Sequence, residues 1–269
     1  MKNQKFTFTL FLVIILMSSS CKVNQEQVQV KNAGSNENLV MATLYYQRAA
    51  EMKALSLQAY NIARLRLDQE LAQTQDPSKL AIVLDIDETV LDNSPYEAES
   101  ILKNMSYPTG WDEWIFKAAA EPLPGVVEFL SYADSKKVQI FYITNRRDKY
   151  RDPTVKNLIE KGLPQTSDSH LMFRTAESSK ETRRLQVIQN HKIILLIGDN
   201  LGDFDKLFDD QAMERRSAVV DSLKIEFGKR FIILPNPMYG DWLQAIYNYD
   251  NKLTPEQKQE INYKMLKGF

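Results

Sequence analysis

The run Leu80-Ala81-Ile82-Val83-Leu84, with Asp85 and Asp87 directly after it, constrains this chain more than any other stretch. A continuous apolar run of this length reads as a strand buried on both faces, the central strand of a parallel sheet. In open α/β sheets ligands bind beyond the carboxyl ends of the strands, which is where both aspartates fall. Two crowded carboxylates repel. They require a cation between them, or a division into an ionised and a protonated partner.

The remaining pattern extends that strand into a fold. Val138 to Ile143, Lys192 to Ile197 and Phe231 to Leu234 are further apolar strands, with His170 to Phe173 as a short additional candidate. Helical stretches separate them at Val126 to Lys136, Thr154 to Lys161 and Thr175 to Asn190, and a helical tail from Trp242 to Phe269 is broken at Thr254-Pro255. Strands alternating with helices predict an α/β fold, a parallel sheet flanked by helices. Glu37 to Thr74 repeats apolar residues at three- and four-residue spacing without Pro or Gly, which predicts one long helix or two stacked ones. After the first strand, Pro95 forbids a simple continuation, and Glu97 to Pro124 carries Tyr107, Trp111, Trp114 and Phe116 around a Pro108-Thr109-Gly110 turn. We read this insertion as part of a small helical cap, built mainly from residues 37–75 and 92–124.

Composition narrows the function. The 269 residues are 43% hydrophobic and 26% charged, with a net charge of −1. That is ordinary globular composition and argues against a nucleic-acid polymer as partner, so the doublets Arg146-Arg147, Arg183-Arg184 and Arg215-Arg216 read as solvated faces. Two histidines and one cysteine exclude a multi-His metal cage and disfavour Ser-His or Cys-His nucleophiles. At the amino terminus, Lys2 and Lys5 precede the short apolar stretch Phe6 to Met17, then Ser18-Ser19-Ser20 and Cys21. The stretch is shorter than the roughly 20 residues of a spanning helix, so residues 1–20 read as a signal peptide and 21–36 as a polar tether to a domain at 37–269. The segment resembles a bacterial lipoprotein signal, which implies lipidation at Cys21, although Ser18 stands where an aliphatic residue is usual.

Three strand ends carry polar residues that packing does not require: Asp85 and Asp87, Thr144 and Asn145, and Asp199 and Asp203. In a parallel sheet these ends share one edge. With Lys180 they offer four carboxylates, a hydroxyl and an ammonium. Acidic ligands without histidine select a hard divalent cation, and Mg²⁺ suits a site where few protein ligands meet a phosphate. Thr144 and Lys180 suit phosphate oxygens.

D-I-D-E-T, T-N-R, the downstream lysine and G-D-N-L-G-D-F resemble the haloacid dehalogenase (HAD) superfamily, and more narrowly its class C acid phosphatases, the lipoprotein e group. The resemblance extends through Q-A-Y-N-I-A-R, D-E-T-V-L-D-N-S-P-Y, G-W-D-E-W and N-P-M-Y-G-D-W, from about Leu39 to Gly268. It implies a Rossmann-like HAD fold and Mg²⁺-dependent hydrolysis of phosphomonoesters through an aspartyl-phosphate, with nucleoside 5′-monophosphates as the expected substrates. It implies Asp85 as nucleophile and Asp87 as general acid, then base. It also implies a metal held by the carboxylates of Asp85 and Asp199, the backbone carbonyl of Asp87 and, through water, Asp203. Thr144, Asn145 and Lys180 would hold the phosphoryl group. Trp111 and Tyr239 are candidate surfaces for stacking a base. An exported, lipid-anchored envelope protein is expected, with Lys22 after the cysteine pointing by resemblance to the outer membrane, and a homodimer is compatible with the sequence. Competing readings are a non-catalytic lipoprotein that binds haem or a partner, and a HAD phosphatase acting on sugar phosphates or phosphoproteins.

Overall fold

The computed structural model describes residues 39–269, so the expected signal peptide, tether and Cys21 lie outside the described residues. The chain begins with α1 (Val40–Arg48) and α2 (Ala50–Leu71). Of the two arrangements the spacing allows, two helices form. Ala49 leaves the helical region (φ −74°, ψ 129°) and ends α1 while its N–H still reaches the Tyr45 carbonyl at 3.1 Å.

The strand β1 (Leu80–Leu84) follows, and then the insertion: β2 (Leu91–Asp92), α3 (Ser94–Leu102), α4 (Trp111–Lys117) and β3 (Glu121–Pro122). The rest alternates as α5 (Val126–Ser135), β4 (Gln139–Arg147), α6 (Arg151–Glu160), β5 (Leu171–Arg174), α7 (Glu181–Ile188), β6 (Lys192–Gly198), α8 (Met213–Ser222) and β7 (Phe231–Ile233). Two helices, α9 (Asp241–Ile246) and α10 (Pro255–Met265), complete it. Thr254 caps α10 reciprocally with Gln257 and Pro255 occupies the first turn, which explains why the tail breaks where the sequence indicated.

The five long strands form one parallel sheet in the order β5-β4-β1-β6-β7, with every residue of β1 buried. Alternation along the strands divides the core in two. Leu80, Ile82, Leu84, Ile140 and Tyr142 pack with Ala59, Tyr60, Ala63 and Leu67 of α2 and Phe129 and Leu130 of α5. Ala81, Val83, Phe141, Ile143 and Leu196 pack on the other face with Val187 of α7 and Phe204. Helices on both faces make the sheet doubly wound, and the strand order reverses at β1, which opens a crevice beyond its carboxyl end.

Three readings need correction. The cap was expected to include residues 37–75, but only α1 packs against α3 of the insertion, whereas α2 lies on the sheet beside α5, β6 and β7. Its small and apolar stripe serves the main core. Helix α8 escaped the sequence reading because its buried residues are only Arg216 and Val219, too few to mark a stripe. The arginine doublets are only partly solvated: Arg147 and Arg215 are exposed, but Arg146, Arg183, Arg184 and Arg216 are all buried. Each donates to carbonyls or carboxylates that hydropathy cannot register, as Arg216 does to the Phe208 carbonyl at 3.0 Å. Among the described residues, no helix is long and apolar enough to cross a membrane.

Pro95 sits in the first turn of α3, where it starts a helix instead of stopping one. Two residues on, burial pushes the Glu97 carboxyl up to about 7 from its ordinary 4.5. The folded protein therefore keeps a proton that the unfolded chain has already released, so stability falls as pH rises between those two values. Glu97→Gln is expected to remove this slope. Urea unfolding should show a gain of about 1–3 kcal/mol near pH 8 and almost none near pH 4.

Candidate active site

The crevice gathers the ends of four neighbouring strands. Pairing of β1 with β6 continues one residue past the strand, through the Asp85 N–H to the Ile197 carbonyl at 3.0 Å. The chain then turns sharply: Glu88 adopts a positive φ of 53°, and the N–H groups of Val90 and Leu91 both return to the Ile86 carbonyl at 2.9 and 2.8 Å. Helix α2 pins the turn from below, with the Tyr60 hydroxyl donating to the Thr89 carbonyl at 2.6 Å. Glu88 is fully buried, and that burial, with the Asp87 charge beside it, holds its carboxyl well above the ordinary range.

Three carboxylates converge here. Oxygens of Asp85, Asp199 and Asp203 all lie within 4.8 Å of one another. The Lys180 ammonium, buried just before α7, pairs with Asp85 and with Asp203, the latter at 2.6 Å. Asp199 accepts from Asn236 Nδ2 at 2.8 Å and from the Thr89 hydroxyl at 3.4 Å, and Asp203 from the Asn200 N–H at 3.0 Å. Gly198 allows this approach: a Cβ there would stand 2.2 Å from an Asp203 carboxylate oxygen. Burial pushes Asp85 up to about 7 against the pull of Lys180, and burial with repulsion from Asp203 and Asp85 drives Asp199 well above its ordinary value. Burial alone would lower Lys180, but Asp203 and Asp85 together hold it above its usual range. One ammonium cannot balance three carboxylates, two of them buried and the third partly so. An all-oxygen donor set with surplus negative charge fits a hard divalent cation.

Asp87 stands apart from this cluster. Its carboxylate accepts from Arg146 Nε at 2.9 Å, from Arg146 NH2 at 2.7 Å and from Asn93 Nδ2 at 2.8 Å. So one aspartate faces a metal-type cluster and its neighbour, two residues on, faces a guanidinium and an amide.

A family model described as HAD superfamily, subfamily IIIB (acid phosphatase), matches residues 9–242. The chain belongs to this acid phosphatase family. The fold is similar to the class C acid phosphatase from Bacillus anthracis, at 47% identity and a TM-score of 0.85, over 88% of this chain and 99% of that one. A structure of the Bacillus anthracis class C acid phosphatase with tungstate bound compares at 47% identity and a TM-score of 0.83, over 87% and 98%. Acid phosphatase 1 from Solanum lycopersicum is 24% identical over 169 residues, 58% of this chain, and the match spans only 57% of that relative's length.

The other expected site residues of this acid phosphatase family member take varied positions. Thr144 is fully buried in the second half of β4, where its hydroxyl accepts the Arg146 N–H at 3.1 Å and its carbonyl accepts from Arg183 at 2.5 Å. Asn145 is exposed and accepts from Arg183 at 2.8 Å. Arg184 holds the loop carrying Asp203 through the Gly202 and Asp203 carbonyls at 2.8 and 3.0 Å. Lys180 precedes α7, which begins at Glu181, six residues later than the periodicity indicated, because the polar stretch before it runs as a loop. Tyr239 is partly buried in the Asn236 turn, where the Asn236 side chain accepts the N–H groups of Met238 and Tyr239 at 3.0 and 3.3 Å. Trp111 is a correction. Its ring is 9% exposed and packs edge-on against Tyr96 at 4.9 Å, beside Ile115 and Tyr150, so it is core of the insertion without an open face for a base.

Four residues of the site were assigned no role from sequence: Arg146, Asn93, Thr89 and Asn236. Thr89 and Asn93 lie inside D-E-T-V-L-D-N and Arg146 inside T-N-R, so the motifs held the signal although spacing alone did not separate them from turn residues.

Proposed function

We propose that this protein hydrolyses phosphomonoesters, nucleoside 5′-monophosphates among them, with Mg²⁺ and through an aspartyl-phosphate, at the bacterial cell envelope. The observation that carries the reading is the inequality of the two aspartates. Asp85 lies against Lys180 within the carboxylate cluster, while Asp87 is held outside it by Arg146 and Asn93. A nucleophile and a proton carrier need such different settings.

In this reading an Asp85 oxygen forms a bond to phosphorus as the bond to the departing alcohol oxygen breaks, and Asp87 gives that oxygen its proton. Asp87 then takes a proton from water, whose oxygen attacks phosphorus and releases Asp85 and inorganic phosphate. Lys180, Thr144 and Asn145 hold the phosphoryl oxygens. Asp85 and Asp199, with the Asp87 carbonyl and Asp203 through a water, would hold Mg²⁺, which supplies neutralisation of charge on the transferring group. Tungstate on the Bacillus anthracis relative, a tetrahedral oxyanion, supports a phosphate-shaped site. Tyr239 is the remaining candidate for stacking a base. Envelope anchoring rests on Cys21 and its leader alone.

The test is phosphate release from p-nitrophenyl phosphate and from a panel of nucleotides, sugar phosphates and phosphotyrosine. Activity is expected to disappear with chelator and return with added Mg²⁺. Undiminished turnover in excess chelator would remove the metal from this reading, and preference for phosphotyrosine would redirect the substrate class.

A further inference from the structure

The Asp87 carboxylate is held by a network that reaches into the insertion. Arg146 is 4% exposed, and all three of its nitrogens are engaged: Nε and NH2 on Asp87, NH1 on the Thr154 hydroxyl at 3.0 Å. Asn93 is fully buried. Its Oδ1 accepts the Trp114 indole N–H at 2.8 Å and Arg146 NH2 at 3.3 Å, and its backbone N–H donates to Glu88 at 2.7 Å. Trp114 lies midway along α4, within the insertion that follows Asp87.

The chemistry of these partners leaves the Asn93 amide one orientation. An indole N–H and a guanidinium only donate, so the carbonyl oxygen of Asn93 must face them. Its NH2 group then faces the carboxylate of Asp87 at 2.8 Å, an acceptor. A flipped amide would set NH2 against two donors and oxygen against a carboxylate, and lose every one of these bonds. Trp114 therefore determines which end of Asn93 meets Asp87 without touching Asp87 itself.

We propose that Trp114, Asn93 and Arg146 are positioning residues that aim the Asp87 carboxyl at the leaving oxygen, and that Trp114 ties that aim to the seating of the α4 helix. The inference rests on Asp87 as proton donor. It assigns to the insertion a part in the chemistry beyond covering the crevice. Proton transfer tolerates little misplacement, so the network matters where the leaving group needs a proton and not where it departs unaided.

That difference is the test. kcat/KM reports the first half-reaction, so it is measured with an alkyl phosphate, whose alkoxide must be protonated, and with 2,4-dinitrophenyl phosphate, whose phenolate leaves without a proton. Trp114→Phe keeps an aromatic ring at the position and removes the N–H together with part of the indole's bulk, a packing loss that affects both esters alike. It is expected to lose about 10-fold on the alkyl ester and less than about 2-fold on the dinitrophenyl ester. Arg146→Met should show the same split at about 10²-fold, and if that variant does not fold, Arg146→Lys, which keeps the charge but not the fork, is expected to fall between. Equal losses on both esters in Trp114→Phe and in the arginine variant would overturn the proposal, since a merely structural defect does not sort leaving groups. Asp87→Asn is the reference: a split there without one in Trp114→Phe defeats this inference alone. No split in Asp87→Asn defeats the proton-donor reading and the inference with it.

Discussion

Asp85→Asn is expected to reduce phosphate release by at least about 10⁴-fold while the fold survives. Asparagine has the same shape, so the fully packed strand beneath it and the N–H bond to Ile197 are unaffected. What disappears is the anionic oxygen that attacks phosphorus in the proposed reaction and one of the two carboxylates that pair with Lys180. Because burial and the neighbouring aspartates oppose ionisation at this position, the neutral amide relieves crowding among buried like charges. The metal-free variant should therefore melt no lower than the parent protein. Phosphate release measured beside a thermal melt checks both halves. Robust turnover by a folded Asp85→Asn protein would end the covalent reading, whereas loss of turnover with loss of fold would not bear on it. The trade is a familiar one, in which a charged site is held at the expense of stability.

Gly198→Ala is expected to be the next most damaging change, through geometry instead of chemistry. Gly198 does not occupy the left-handed region, so backbone freedom is not its purpose. The constraint is space: an added Cβ would meet Asp203 at 2.2 Å from Oδ2, 2.5 Å from Cβ and 2.6 Å from Cγ. Either β6 shifts at its end, carrying Asp199 with it, or Asp203 leaves the cluster and abandons both Lys180 and the Asn200 N–H. Overpacking of this kind costs about 1–3 kcal/mol, and a displacement of roughly 1 Å at a reacting group costs about 10²-fold in rate. Divalent-metal affinity, measured by calorimetry, should fall together with kcat/KM. A Gly198→Ala protein that binds metal and substrate as before would show that the loop after β6 yields far more readily than its contacts imply.

The parts of the site that could be read from sequence are those announced by apolar runs. β1, β4, β6 and β7 each carry an apolar, mostly buried run, so the ends of those runs could be located and the polar residues there counted. The Asp85, Asp199 and Asp203 cluster with Lys180 follows from that register. What was not legible depends on contacts between distant residues that hydropathy cannot weigh. Arg146 lies beside Arg147 in sequence and looks like one more surface charge, but Asp87, 59 residues earlier, draws its guanidinium inward. Trp111 looked available because it sits in a loop-rich stretch, and its burial depends on Tyr96 and Tyr150 closing around it. Helix α2 was assigned to the cap because its periodicity shows that a face is buried without showing against what.

The division between the two aspartates has an evolutionary side. The groups that surround Asp85 come from the sheet and its immediate loops: Lys180 before α7, Asp199 and Asp203 after β6, and Asn236 after β7. Asp87 is held by Arg146 of β4 and also by Asn93, itself bonded to Trp114, and the latter two belong to the stretch between β1 and α5. Substitutions in that stretch can alter how a leaving group is met while the cation cluster keeps its ligands. Lineages of such a protein are free to drift toward new esters by varying one inserted segment, with the phosphoryl-handling half inherited unchanged.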